Sequence, residues 1–401
     1  MKAVIEPSIA SGTIAAPPSK SMAHRMLMGA GLSDGISVVH HIELSEDIKS
    51  TLEMLESLGA SYTIENKTVT MCGIGSKPIE ASGVLNSRES GSTLRFFIPI
   101  LLAGGRKCEF VGARRLFERP LDIYEDICRE QGISFVKGEN GLKLDGQLQA
   151  TNYKVRGDIS SQFITGLLFA LPLLDEDSTL EILPPVESRA YIELTLEVLE
   201  TFGIVIRREG NMFLIPGNQV YRAKTTEVEG DYSNAAFLEA FNLLGGNVTV
   251  EGLKKDSRQG DKVYLTYFEE LKKGTPTLDI SECPDLGPVL MGMAAACHGA
   301  IFTGIRRLRI KESDRAAAMA EELKKFGIEV VVEENTARVL AGELQKPKQV
   351  LDSHNDHRIA MTMALLLSVT GGELEDAQAV RKSYPSFYEE IGKLGIQITI
   401  L

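Results

Sequence analysis

Residues 52–71 read LEMLESLGASYTIENKTVTM, and residues 320–340 read AEELKKFGIEVVVEENTARVL. In both, apolar residues fall three and four apart up to a glycine and two apart after it, the pattern of an amphipathic helix followed by a hairpin. The phrase returns at residues 126–144, 196–215, 268–280 and 389–401. Its glycines, Gly59, Gly132, Gly203, Gly274, Gly327 and Gly395, stand where a left-handed cap ends a helix. Most lie about 70 residues apart, and the short interval after Gly274 coincides with a missing hairpin.

Ahead of each phrase runs a second helix that is apolar nearly all round, such as LRFFIPILLAGG at 94–105 or RIAMTMALLLSVTGG at 358–372. A helix without a polar face must be buried. A short β-rich run follows it, so the unit reads βαβαββ. The sequence therefore predicts an α/β protein of six such repeats in two lobes of three, with buried parallel helices inside and sheets outside. The last repeat is one strand short, and a spare strand at residues 2–5 can complete it. One lobe is then 1–14 plus 226–401 and the other 15–225. A single continuous solenoid fits less well, because solenoid repeats are usually shorter, roughly 20 to 50 residues.

Composition narrows the function. With 401 residues and 43% hydrophobic content the chain can build two cores. A formal charge of −12 argues against nucleic acid or an anionic membrane as partner. The five cysteines are scattered, without zinc or disulfide spacing. No secretion signal is readable at the start, and the apolar runs are too short to span a bilayer. These features suit a cytoplasmic enzyme.

Polar residues collect at the N-terminal mouths of the buried helices: PPSKSMAHR (17–25), RESGSTLR (88–95), DISSQF (158–163), GDYSNA (230–235), CPDLGP (283–288) and HNDHR (354–358). Ser, Asp and Asn there are ordinary caps. Lys20, Arg25, Arg95 and Arg358 add charge at these mouths, and Lys20, Arg95 and Arg358 are not ordinary, because a cation opposes the positive end of the helix dipole unless an anion joins it. Loops add RRLFERP (114–120), RIKESDR (309–315, with Ser313 as a candidate cap) and VRKSYP (380–385). The expected site is a basic cleft between the lobes that takes small phosphorylated and carboxylated molecules. Asp285 and Glu312, carboxylates set among cations, are what acid–base chemistry needs. There is no P-loop, dinucleotide fingerprint, HExxH or nucleophile elbow, and the six histidines lack metal-ligand spacing.

Taken together, PPSKSMAHR, SGSTLR, ERP, DISSQF, ESRAYIELTL, EGDYSNAAF, DSRQGD, PDLGP, RIKESDR, NDHRIAM and KSYPSF resemble the 5-enolpyruvylshikimate-3-phosphate synthase family of enolpyruvyl transferases, in the family's order over nearly the whole chain. The resemblance implies two lobes of three βαβαββ units and transfer of the enolpyruvyl group of phosphoenolpyruvate to the 5-hydroxyl of shikimate 3-phosphate, releasing phosphate through a tetrahedral intermediate. It implies a monomer that needs neither metal nor organic cofactor. Carried over residue by residue, Lys20, Ser21, Arg25, Ser160, Ser161, Gln162, Ser188, Tyr191, Asp285 and Lys311 take shikimate 3-phosphate. Lys20, Gly91, Ser92, Arg119, Gln162, Arg315, Arg358 and Lys382 take phosphoenolpyruvate. Asp285 and Glu312 carry the protons, and Lys20 and Lys311 assist. ESGST replaces the commoner NAGT, and Arg307 stands where many members have Asn. The sister transferase acting on UDP-N-acetylglucosamine usually has Lys-Asn where this chain has Lys20-Ser21, and a reactive cysteine in the loop that here reads ARRLFERP. A non-catalytic anion binder would have no use for Asp285 and Glu312, which repel anions.

Overall fold

A computed structural model describes residues 1–75, 84–105 and 107–401. The chain forms two compact units: the first is Met1–Ser19 with Glu229–Leu401, the second Lys20–Val228. Each has its own apolar core, one gathered from residues between Ala3 and Ile396 of the first unit, the other from Met22 to Val228. The division falls a few residues later than 14/15 and 225/226. The reason is strand pairing: Ser11–Ala15 stays in the first unit beside Asn247–Glu251, and Thr225–Glu227 stays in the second beside Ile36–His40.

Among the described residues, five four-stranded sheets and one two-stranded sheet follow the repeat. In the clearest case Asn152–Arg156 pairs in parallel with Ser178–Leu183, which pairs antiparallel with Met212–Ile215, itself paired with Arg207–Glu209. The parallel step passes through the buried helix Ser161–Ala170, and the surface helix Arg189–Thr201 leads from Ser178–Leu183 into the hairpin. Ala3–Ile5 lies antiparallel between Gly372–Glu375 and Ile398–Ile400, completing the last sheet. The two-stranded sheet belongs to the repeat around Gly274, which has no hairpin.

That repeat also departs at its glycine. Gly59, Gly132, Gly203, Gly327 and Gly395 all have left-handed φ. Gly274 is extended instead, with φ 162°. A left-handed cap turns the chain back into a hairpin; here the chain runs directly on to the strand Thr277–Asp279.

The mouths are capped as short polar side chains dictate. Ser90, Ser160, Asp231 and Asp356 each accept a hydrogen bond from a backbone N–H one turn in. In the helix Arg315–Lys325 the cap is Asp314, not Ser313; the Ser313 hydroxyl instead donates to Asp356, 3.1 Å away.

One helix contact shows how closely the second unit is built. Pro99 lies inside the helix Gly91–Ala103 and has no N–H, so the carbonyl of Arg95 loses its helical donor. The Tyr124 hydroxyl replaces it at 2.7 Å. Gly166 on the neighbouring helix leaves the room: a Cβ there would stand 2.4 Å from that hydroxyl and 2.5 Å from the carbonyl. We expect Tyr124→Phe to cost about 1–3 kcal/mol through the orphaned carbonyl. Gly166→Ala is expected to cost at least as much, about 1–3 kcal/mol or more, because backbone must shift. Chemical denaturation of the variants measures both, and wild-type stability would refute the account.

Candidate active site

The second unit gathers neutral and cationic groups at three buried helix starts. Arg25 projects from the helix Lys20–Leu32 and is 3% exposed. Its Nε donates to the Thr195 hydroxyl at 2.9 Å, Nη1 to the Ser21 carbonyl at 2.7 Å, and Nη2 to the Tyr191 carbonyl at 3.1 Å and the Thr165 hydroxyl at 3.3 Å. The rings of Phe96 and Tyr191 lie 5.5 and 5.8 Å from its guanidinium carbon. Every one of those partners is neutral, and burial pulls its pKa down to about 10. Such company satisfies its donors but leaves its charge uncompensated.

Beside it, Gln162 accepts from Arg95 Nη1 at 2.8 Å and donates to the Ser92 hydroxyl at 3.0 Å. Arg119 is buried against Gly91, where a Cβ would meet its Nη1 at 2.7 Å. Gly91 is thus kept bare to admit a guanidinium. Lys20 donates to Asp47 at 2.8 Å, Ser160 caps its helix, Ser161 is buried and Ser188 is buried in a left-handed conformation with φ 55°.

The first unit gathers opposite charges. Arg315, at the start of its helix and 1% exposed, donates from Nη1 to Asp285 at 2.8 Å, from Nη2 to Glu312 at 2.8 Å and from Nε to Asp356 at 2.8 Å. Lys311 Nζ lies 3.1 Å from Asp285 Oδ1, and Arg358 Nη2 lies 3.5 Å from Asp285 Oδ2. Burial would raise the Asp285 pKa, but Lys311, Arg358 and Arg315 outweigh it and hold the carboxyl well below the usual range. Burial pushes Lys311 down to about 8 against the pull of Asp285. Asp261, buried and near Asp285, rises to about 6. Lys382 donates to the carbonyl of Asn355 at 2.5 Å.

Arg358 stands apart. It is 4% exposed, its guanidinium carbon lies 5.7 Å from the Phe237 ring, and its Nε and Nη1 have no hydrogen-bond partner among the described residues. Leaving charged donors buried and unmade is costly, and an anion that reached this guanidinium would be held by charge-assisted hydrogen bonds.

The site residues expected from sequence therefore fall into two sets. Arg25 touches both Ser21 and Tyr191, Gln162 touches Ser92, and Arg119 lies against Gly91. Asp285, Lys311, Glu312, Arg315 and Arg358 form one cluster in the first unit. Sequence reasoning missed Asp356, whose cap position was visible while its second role toward Arg315 was not. It also missed Asp47, Thr165 and Thr195, for which spacing held no signal.

Buried cations holding Asp285, Glu312 and Asp356 have the composition of an enzyme site for anions with acid–base chemistry. The family profile of EPSP synthase (3-phosphoshikimate 1-carboxyvinyltransferase) matches residues 5–391. The 3-phosphoshikimate 1-carboxyvinyltransferase of Clostridium kluyveri is 39% identical over 98% of this chain and 97% of its own length. That of Clostridium beijerinckii is 41% identical over 98% and 97%. EPSP synthase from Acinetobacter baumannii has the same fold, with a TM-score of 0.79 at 20% identity, covering 100% of this chain and 99% of its own. The chain belongs to the EPSP synthase family.

We expect Asp356→Ala to destabilise the protein by about 3 kcal/mol or more, since it removes a fully buried partner of a fully buried arginine. Thermal and denaturant unfolding check this, and a change under about 0.5 kcal/mol would show that Asp285 and Glu312 alone satisfy Arg315.

Proposed function

We propose that the protein transfers the enolpyruvyl group of phosphoenolpyruvate to the 5-hydroxyl of shikimate 3-phosphate, with release of phosphate. The observation that carries this reading is the Arg315 fork, which holds Asp285 and Glu312 on its two Nη nitrogens beside Arg358 with two unused donors. Addition to an enol ether needs one acid for carbon and one base for oxygen, held close but not interchangeable. Glu312, protonated, gives its proton to the methylene carbon of phosphoenolpyruvate while Asp285 takes the 5-hydroxyl proton. The new C–O bond makes a tetrahedral intermediate. Phosphate then leaves, taking up the proton that Asp285 holds, and Glu312 takes a proton back from the methyl group to restore the double bond.

Arg25, Ser21, Ser160, Ser161, Gln162, Ser188 and Tyr191 receive shikimate 3-phosphate, the neutral shell of Arg25 being completed by phosphate. Arg119 over Gly91, Ser92, Lys20, Arg358 and Lys382 receive phosphoenolpyruvate. Arg315 takes its carboxylate only by yielding a contact with one of its three acids. Lys20 and Lys311 balance developing charge. The chemistry requires no metal or organic cofactor, and the enzyme acts as a cytoplasmic monomer on small anions without nucleic acid or membrane. Among the described residues no helix is long and apolar enough to cross a membrane.

Phosphate release, measured with both substrates, with each alone, and with UDP-N-acetylglucosamine as acceptor, tests the assignment. Release requiring both substrates is expected, and release only with the sugar nucleotide overturns it. Asp285→Asn and Glu312→Gln should each cut kcat by about a hundredfold or more while leaving shikimate 3-phosphate affinity within about tenfold. Near-normal turnover would remove their roles. Gly91→Ala should raise KM for phosphoenolpyruvate about tenfold by displacing Arg119, and an unchanged KM would show that Arg119 does not hold this substrate.

The pH dependence follows from Lys311. It is charged below a pKa of about 8 and neutral above it. kcat/KM, which reports the free enzyme, should therefore fall as pH rises through that value, and Lys311→Arg should abolish that limb. An identical limb in the variant would assign it to another group.

A further inference from the structure

Glu322 is a titratable group that the proposed reaction does not use. It lies one side of the surface helix that Arg315 begins, and it is 0% exposed. A carboxylate is costly to bury without partners, and two of the three that Glu322 has lie on one loop, the third being Lys325 on its own helix. Its Oε2 accepts from the Asp352 N–H at 3.0 Å; its Oε1 lies 3.0 Å from His354 Nε2 and 2.8 Å from Lys325 Nζ. The loop needs such an anchor, because His354 and Asn355 are both left-handed, with φ 50° and 52°. Two consecutive side-chain-bearing residues in that region persist only when their surroundings hold them there.

What the loop carries is the site. The carbonyl of Asn355 accepts from Lys382 Nζ at 2.5 Å. The next residue, Asp356, binds Arg315 and caps the helix that bears Arg358. Asp352 Oδ1 accepts from the His354 N–H at 2.7 Å, and the Ser353 hydroxyl bonds to the carbonyl of Asp376 at 3.0 Å. Glu321, Glu322 and His354 bring ligand atoms within 4.8 Å of one another, but the Lys325 ammonium already supplies the cation there.

We infer that Glu322 and His354 are positioning residues for the phosphoenolpyruvate side of the site: by clamping the left-handed turn at 354–355 they place Lys382 through Asn355, and Arg358 through Asp356. The inference rests on the proposed assignment of Lys382 and Arg358 to that substrate. Neither clamp residue is in contact with the reacting groups, so its loss acts on substrate affinity more than on the chemical step.

His354→Asn tests this cleanly, because Asn tolerates the left-handed conformation and is too short to reach Glu322. KM for phosphoenolpyruvate should rise about fivefold or more, with kcat within about twofold and KM for shikimate 3-phosphate unchanged. Glu322→Gln, which keeps an acceptor for Asp352 but loses the charge, should give the same pattern. If it fails to fold, His354→Asn decides alone. An unchanged KM for phosphoenolpyruvate in folded His354→Asn, or a loss confined to kcat, overturns the inference. Wild-type phosphate release in the same assay separates this from failure of the function itself: without it the assigned reaction falls, and with it only the clamp is in question.

Discussion

A guanidinium that is 1% exposed has almost no water to stabilise its charge, so Arg315 dictates where carboxylates must stand. It draws Asp285 from one buried-helix mouth, Asp356 from another and Glu312 from the turn before its own helix. Removing any of them leaves charge uncompensated, whereas together they fix three chain segments to one rigid plane. The candidate acid and base thereby stand on adjacent nitrogens without needing a dedicated scaffold. Arg25 in the second unit solves the same problem differently. Its hydrogen-bond acceptors are hydroxyls and carbonyls, which satisfy its donors but not its charge.

The repeat explains why cations can be placed this way more than once. Helices such as Gly287–Ala296 and His357–Thr370 are buried along almost their whole length, so only their ends can carry polar chemistry. Their N-termini present N–H groups to the same small region, and the dipoles favour anions there. Close packing sets a second constraint. At Gly292 a Cβ would lie 2.4 Å from the Thr362 methyl, so the helix bearing Asp285's mouth and the helix bearing Arg358 approach through a bare backbone.

Local pattern carried most of the fold into view. The period change at Gly59 or Gly327, from three and four to two, marks helix and hairpin because burial of one face requires it. Gly274 was misleading for the same reason: its residue type fits a left-handed cap, and only the strand that follows determines the extended conformation. Candidate site residues were legible where they broke a local rule, as Arg358 does by opposing a helix dipole. Asp47, Thr165, Thr195 and Asp356 obey local rules, so their partnerships with Lys20, Arg25 and Arg315 exist only in tertiary structure. Ser313 could be read as a cap because Asp314, one residue on, fits the same pattern; which of the two caps depends on where Asp356 lies.

On the proposed reaction, the empty protein holds its base in a weak form. Asp285 is bound by Lys311, Arg315 and Arg358, and a carboxylate held well below the usual range has little affinity for a proton. Substrate alters that balance. On that proposal, when the carboxylate of phosphoenolpyruvate pairs with Arg358 and the substrates share Lys311, the positive field on Asp285 is divided with new anions. Its basicity then rises at the moment the hydroxyl it must deprotonate is in place. On that proposal the three cations paired with Asp285 restrain the base until substrate arrives, and the buried Arg315 plane holds Asp285 in place while its charge environment changes.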